Sequence, residues 1–242
     1  MRVDVFTIFP DLISDYCSYS LLSNAISEKR LALNLHNLRE FGLGKHRKVD
    51  DEPYGGGAGM IMRCEPIFDA VESVSDLKRP LYVLSPKGKL FDQQMANDLS
   101  KSDGFSLICS RYEGIDERVV SNLAEGEISI GDYVLAGGEL AALVVIEAVA
   151  RLLPGFMGNS VSPVEETFFN GLLEAPQYTR PSEFKGLKVP EVLMNGDHEK
   201  IRKFSLATSL YETLKKRPDL IEKRGGLTEE EQKLLDELKS DI

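Results

Sequence analysis

The chain has 242 residues, of which 42% are hydrophobic, and its formal net charge at pH 7 is −10. This length fits one large domain or one domain with a small appendage, and the apolar fraction excludes an intrinsically disordered chain. The net negative charge by itself argues against a nucleic-acid partner, because phosphate binding relies on Lys and Arg.

Charge is distributed unevenly along the chain. Residues 39–48 and 200–217 are locally basic, whereas acidic residues are concentrated at 229–242. An acidic tail can hide a basic face elsewhere in the chain, and these two segments are the candidates for such a face. Charge alone favours the simpler interpretation of a solvated surface.

The sequence predicts neither export nor membrane insertion. Residues 1–10 mix charged and apolar positions as a strand does, unlike a signal peptide. No apolar run approaches the roughly 20 residues that span a bilayer. Cys17, Cys64 and Cys109 lie far apart and are odd in number, which argues against a disulfide framework. We therefore expect a cytoplasmic protein with no membrane partner.

Strands and helices alternate along the first two thirds of the chain. Apolar patterning predicts strands at Val3–Ile8, Leu31–His36, Pro80–Leu84, Phe105–Cys109 and Glu127–Ile130. Helical spacing occurs at Asp11–Ile26, 65–74, 92–101 and Gly138–Leu153. The predicted fold class is therefore α/β, with a largely parallel sheet flanked by helices. Residues 155–170 lack periodicity and indicate a linker or lid, and the chain from about 176 onward has a helical, amphipathic pattern.

Several common chemical motifs are missing from the sequence. It contains no phosphate-binding loop of the G-x-x-x-x-G-K-[ST] type and no G-x-G-x-x-G fingerprint after a strand. His36, His46 and His198 are scattered, so we predict no metal-ligand residues. No serine occupies a nucleophile elbow.

Three loops each follow a predicted strand, at 84–88, 110–116 and 129–139. Ligands of open α/β sheets bind beyond the carboxyl ends of the strands, where backbone groups of Gly, Pro and Ser are accessible. Such groups suit an adenine and a ribose better than a polyphosphate, since no Lys cluster accompanies them. The three loops together favour a small-molecule site, although each alone would be an ordinary strand-to-helix turn.

A separate glycine run lies at 55–59, within the segment 50–60. No predicted strand precedes it, which argues against a phosphate site at a helix N-terminus. Four glycines in five positions are costly to order. The run is either a flexible loop or a place where the backbone closely approaches a ligand, and the second interpretation explains the glycines better.

Five segments of the chain form an ordered set of motifs. They are Pro53–Gly57, Arg111–Arg118, Ile130–Leu135, Gly137–Glu139 and Gly171–Glu174 with Pro176, Tyr178, Thr179 and Arg180. In order and spacing this set resembles the bacterial tRNA (guanine-N1)-methyltransferases, which are knotted enzymes of the SPOUT type. The resemblance covers essentially the whole chain, and it is specific because the segments occur together.

The resemblance implies a trefoil-knotted catalytic domain at 1–157 that binds S-adenosylmethionine, a flexible linker or lid at 158–175, and a small helical tRNA-binding domain at 176–242. It also implies a homodimer whose active site draws on both subunits. The implied substrate is the guanine immediately 3′ of the anticodon, position 37 of tRNA, and not DNA. Whether a divalent ion such as Mg2+ assists proton transfer stays open.

The resemblance also carries functional residues onto this chain. The catalytic positions are Arg151 and Glu166. The cofactor-binding positions are Leu84, Ser85, Pro86, Ser110, Tyr112, Glu113, Gly114, Ile130, Gly131, Asp132, Tyr133, Val134, Leu135, Gly137 and Gly138.

The chemistry of guanine explains why a carboxylate and a guanidinium are wanted. Guanine N1 holds a proton, which a carboxylate within hydrogen-bond reach removes as a general base. Negative charge then shifts to O6, where a guanidinium stabilises it. Without the resemblance, Arg151 would be a helix-terminal cation and Glu166 a solvated charge in a linker.

The sequence departs from the family pattern at five positions. Glu166 stands in place of Asp, which makes the general base one methylene longer and puts its geometry in question. Ser110 stands in place of Gly, Ala58 and Ala141 in place of Pro, and Phe204 in place of Trp. Two alternatives therefore stay open: a related knotted methyltransferase with another RNA target, or a catalytically weak RNA-binding homologue.

Overall fold

The computed structural model describes residues 1–157, residue 168 and residues 170–241, with side chains described up to residue 238. The chain divides into two compact units, Met1–Ser160 and Val161–Ile242. The predicted base, Glu166, and most of the linker predicted at 158–175 lie outside the described residues.

A five-stranded sheet forms the centre of the first unit. Its strands are β1 Arg2–Thr7, β2 Ala32–Asn37, β5 Leu81–Leu90, β6 Gly104–Cys109 and β7 Gly126–Ser129, while β3 Asp50–Asp51 and β4 Ile61–Met62 form a separate short ribbon. The strand order in the sheet is β2-β1-β6-β5-β7, and every pairing in it is parallel. This confirms the predicted α/β class with its parallel sheet. Each predicted strand is present, with bounds that shift by a few residues.

β5 is longer than the sequence pattern predicts. Its pairing with β7 shifts register between Leu84 and Lys89, so residues 85–88 bulge out of the sheet. Ser85, Pro86 and Gly88 thus lie at the carboxyl side of the apolar stretch that the sequence identifies as the strand. A bulge of this kind redirects side chains beside a site without ending the strand.

Helices cover both faces of the sheet. α1 Pro10–Cys17, α2 Ser20–Ser27, α4 Gln93–Ser100 and α6 Glu139–Ala150 contribute to one core cluster, and α3 Cys64–Glu72 and α5 Glu117–Asn122 to the other. Neighbouring residues of one strand enter different clusters, as Leu107 and Ile108 do, because side chains alternate across a strand. None of the helices in the described part of the chain combines the length and apolar character needed to cross a membrane.

One charged residue lies inside this apolar sheet. Asp4 on β1 is fully buried, and Arg2 Nε, Asn34 Nδ2 and His36 Nε2 lie 2.8, 3.1 and 2.8 Å from its carboxylate. Burial opposes ionisation of Asp4, but the hydrogen bonds from His36, Arg2 and Asn34 outweigh it and lower the pKa of the carboxyl. Asp4 is therefore an ionised carboxylate that is buried in an otherwise apolar strand and paired with neighbouring polar side chains.

The helix predicted at Asp11–Ile26 is two helices. α1 ends at Cys17, Tyr19 is extended, and Ser20 has a φ of +56°. A positive φ cannot continue a right-handed helix, so the chain turns there although neither Gly nor Pro marks the break. Apolar periodicity alone did not indicate this turn.

The second unit contains the helices α7 His198–Lys216, α8 Pro218–Lys223 and α9 Glu229–Asp241. They pack around a small core of Leu172, Leu210, Ile221 and Leu235. The helical pattern predicted from about residue 176 is wrong for 176–197, which holds a two-stranded hairpin, β8 Glu183–Phe184 and β9 Leu187–Lys188, and a short 3-10 turn at Glu191–Leu193. Prolines and glycines prevent a helix in this segment. α7 begins after Asp197, whose side chain caps the helix by accepting a hydrogen bond from the Lys200 amide.

Candidate functional site

The carboxyl ends of β5, β6 and β7 lie side by side in the sheet. The loops that follow them surround a cleft of about 160 Å³. Every residue predicted to bind a cofactor lines this cleft except Asp132. The structure also places in its wall five residues that the sequence did not single out for this role: Arg111, Ile128, Ser129, Ala136 and Ala141.

Hydrogen bonds tie the three loops to one another. Ser110 Oγ donates to the carbonyl of Leu84 at 2.8 Å, which joins the loops after β6 and β5. The Gly138 amide donates to the carbonyl of Ser110 at 2.8 Å, which joins the last loop to the second. The hydroxyl of Ser110, at a position where the family pattern has Gly, therefore faces protein backbone.

Two glycines of the last loop are required by the local backbone. A Cβ on Gly138 would lie 2.9 Å from the Cα of Cys109, which is backbone and cannot move aside, so a side chain there would push the loop away from the strand ends. Gly131 has a φ of +148°, which is strained for any other residue, whereas the exposed Tyr133 ring beside it can rotate away.

A larger cavity of about 810 Å³ adjoins the cleft. The two share Ser85, Pro86, Ser110, Glu113 and Gly114 as wall residues. The two spaces are therefore direct neighbours at the carboxyl ends of β5 and β6.

The glycine run forms part of the structure around this larger cavity. Contrary to the sequence prediction, a short strand precedes it: β3 Asp50–Asp51 pairs with β4 Ile61–Met62, and the run connects them. The two-stranded ribbon of β3 and β4 is hydrogen-bonded to the loop after β6, because the Glu113 amide donates to the carbonyl of Met60 at 2.9 Å. A Cβ on Gly59 would overlap the Glu113 side chain. This glycine is therefore explained by close packing of its backbone against another part of the protein and not against a ligand.

Ion pairs fix the charges in the wall of the larger cavity. Arg63 bridges Asp51 and Glu65, and the Arg63 side chain together with a backbone amide lowers the pKa of Glu65 to about 2. Arg118 likewise lowers the pKa of Asp116, which it contacts at 2.7 Å. Glu65 and Asp116 are therefore ionised at neutral pH and already paired with guanidinium groups.

Arg151 lies apart from both spaces. It follows the last residue of α6 and lines a third cavity, of about 230 Å³, with Tyr16, Glu147 and Phe156. The described residues of one chain thus bring the predicted cofactor positions together but leave Arg151 elsewhere, and Glu166 lies outside them. Within the described part of the chain, no three His, Cys, Asp or Glu side chains are placed to hold a metal ion.

Comparison with known proteins assigns the family. The family model described as tRNA (Guanine-1)-methyltransferase TrmD matches residues 1–223. The chain belongs to this family. Proteins named tRNA (guanine-N(1)-)-methyltransferase from Caldanaerobacter subterraneus subsp. tengcongensis, Dictyoglomus turgidum and Brevibacillus brevis are 52%, 48% and 48% identical to it. These alignments cover 98%, 100% and 100% of this chain and 98%, 98% and 99% of the relatives.

Family membership agrees with the placement of the motifs. Arg111–Arg118, Ile130–Leu135 and Gly137–Glu139 all lie at the carboxyl edge of the sheet, around the cleft and the larger cavity. Two residues of these motifs, Arg111 and Glu139, received no role from the sequence, and the only signal for them was their position inside the motifs. The structure brings these two side chains within 2.8 Å of each other.

Proposed function

We propose that the chain transfers a methyl group from S-adenosylmethionine to N1 of the guanine at position 37 of tRNA, as a homodimer in the cytoplasm. The observation that carries this proposal is the cleft at three adjacent strand ends, beside a larger cavity, in a member of this methyltransferase family. The names of the relatives support the substrate. The three unpaired cysteines fit a reducing compartment.

The cleft and the larger cavity together fit the donor and the acceptor. The cleft alone is smaller than the roughly 300–1,000 Å³ of common ligand pockets, so S-adenosylmethionine would extend into the larger cavity. Backbone groups of 84–86, 110–114 and 130–138 would hold its adenosine. When bound, the cofactor supplies an electrophilic methyl group on its sulfonium. The remaining volume has room for a base turned out of an RNA loop.

Arg151 and Glu166 would act on the guanine. The Glu166 carboxylate takes the proton from N1, and the Arg151 guanidinium stabilises the charge that shifts to O6. α6 has 12 residues, so Arg151 lies about 18 Å along the helix from the cleft at its first turn. This distance exceeds the length of an Arg side chain, which supports an active site completed by a second copy of the chain.

An exposed apolar face supports the homodimer. α6 is apolar around most of its circumference, yet Leu140 and Val144, one helical turn apart, are 54% and 47% exposed. The helical period places Arg151 on the same face. Tyr16 and Tyr19, near the end of α1, are exposed as well. A helix that is apolar on all sides is normally buried, so we propose that a second copy of the chain packs on this face.

The path of the chain supports the proposed trefoil knot. After β7 at one edge of the sheet, residues 130–138 pass the carboxyl ends of β5 and β6, and α6 then packs against β6 and β1. An experimental structure in which this segment does not thread through the loop formed by the preceding chain would contradict the knot.

Exposed cations support tRNA as the partner. Lys45, Arg47 and Lys48 are exposed in the turn after β2, and no ion pair within the described residues engages them. On α7, by contrast, Lys200, Lys203 and Lys216 pair with neighbouring carboxylates. The turn at 45–48 is therefore the stronger candidate of the two predicted basic surfaces, and we propose the domain at 176–242 as the second tRNA contact.

The first experiment measures transfer of labelled methyl from S-adenosylmethionine to two unmodified tRNA transcripts that differ only at position 37. We expect label in the transcript with G37, recovered as 1-methylguanosine, and none in the transcript with A37. Cofactor binding without transfer would mean a catalytically weak homologue. Label at another nucleotide would mean a different RNA target.

Glu166→Gln should lower kcat by at least about 100-fold, because general-base catalysis contributes roughly that much. The dissociation constant for S-adenosylmethionine should not change, since the base acts on the acceptor. Glu165→Gln, at the adjacent position, is the matched control and should keep its rate. A Glu166→Gln variant with full turnover would exclude Glu166 as the base.

The homodimer predicts a mass in light scattering of twice the 26.9 kDa chain. Val144→Glu should give monomers without methyl transfer, because a carboxylate on the apolar face opposes its burial. Leu187→Glu, at an exposed apolar position of the second unit, should stay dimeric. A monomeric mass for the unchanged protein contradicts the dimer.

The basic turn predicts a salt-dependent affinity for tRNA. Replacing Lys45, Arg47 and Lys48 by Gln should make the plot of log affinity against log salt shallower by about 2–3, since each phosphate contact contributes nearly one. The same change at the paired Lys200, Lys203 and Lys216 should alter the slope less. Equal slopes for the unchanged protein and the first variant would refute this surface.

A further inference from the structure

A buried carboxylate lies behind the loop at 130–138. Glu139 is the first residue of α6 and is fully buried. Its Oε1 accepts a hydrogen bond from Thr7 Oγ1 at 2.7 Å, and its Oε2 accepts one from Arg111 Nε at 2.8 Å. A buried charge is stable only when it is paired and hydrogen-bonded, so Glu139 ties the ends of β1 and β6 to the start of α6.

Arg111 extends this contact to the loop itself. Its Nη1 lies 3.4 Å from the carbonyl oxygen of Ala136, and its backbone forms an antiparallel bridge with Gly137. On its other side the guanidinium stacks 4.5 Å from the ring centroid of Phe9. A Cβ on Gly137 would lie 2.1 Å from Arg111 Nε, so the side chain fills the space directly beside the loop backbone.

We propose that Arg111 and Glu139 are positioning residues, whose ion pair holds residues 130–138 in the conformation that binds the adenosine of the methyl donor. The inference rests on the proposed function, because it takes the cleft to be the donor site. Arg111 acts through the carbonyl of Ala136 and the backbone of Gly137, and Glu139 acts through Arg111. Neither residue contacts the reacting atoms.

The geometry distinguishes this role from general support of the fold. The pair contacts the end of the loop at 130–138, which contributes more residues to the cleft wall than either of the other two loops. The apolar core beneath it is continuous without the pair. Loss of the pair should therefore release the loop before it unfolds the sheet. The affinity for the donor measures the first effect, and the unfolding midpoint measures the second.

The test is calorimetric titration of the full chain with S-adenosylhomocysteine, well below the unfolding temperature. Glu139→Gln and Arg111→Lys should each raise the dissociation constant at least about tenfold, the effect of losing one hydrogen bond to a charged group. Leu99→Ala is the control: Leu99 is buried near the amino end of β6, so its truncation lowers the unfolding temperature but should leave the dissociation constant unchanged.

The double variant of Arg111→Lys and Glu139→Gln should bind only slightly more weakly than either single variant, because the first change has already broken the contact that the second would remove. If a variant of the pair does not fold, Thr7→Val removes only the hydroxyl that Glu139 accepts from, and it should still weaken binding. Equal dissociation constants for the unchanged protein and the folded variants would overturn the inference alone. Failure of the unchanged protein to bind would overturn the proposed function and the inference with it.

Discussion

The contact of Gly138 with the backbone of Cys109 and Ser110 determines how the chain passes from β7 to α6. The space between these segments excludes a Cβ, and the Gly138 amide is bonded to the Ser110 carbonyl. Because α6 begins at the next residue, this single approach places an apolar helix under β6 and β1. The cleft wall, the buried Glu139 and the position of Arg151 all depend on it.

The sequence predicted the parallel sheet because strand patterning is local: apolar residues buried on both faces form short runs bounded by turn residues. It also identified the loops of the cleft, since parallel strands end at one edge. It did not indicate the turn at Ser20, where a serine takes a positive φ. Nor did it indicate the ion pair of Arg111 with Glu139, because residues far apart in the chain meet only after the fold has formed.

Net charge was a poor guide to the surface. The acidic excess is real, but in the larger cavity Asp51 and Glu65 are paired with Arg63, and Asp116 is paired with Arg118. On α7, Lys203 and Lys216 are paired with carboxylates of the same helix. Exposed ion pairs contribute little to stability, yet each one reduces the charge that a distant phosphate would experience. The local arrangement of cations, as in the turn at 45–48, is therefore more informative than the sum.

The two ends of α6 lie beside different spaces of the first unit. Its first residue is held beneath the donor cleft, while its last turn leads to Arg151 on an exposed apolar face. Under the proposed function, a donor site that one chain completes and an acceptor group that it carries elsewhere would make methyl transfer depend on the association of two chains. Burial of Leu140 and Val144 would supply the free energy of that association and orient Arg151 at the same time. A change on this face should therefore affect turnover more than donor affinity, because α6 itself stays anchored through Glu139 and Gly138.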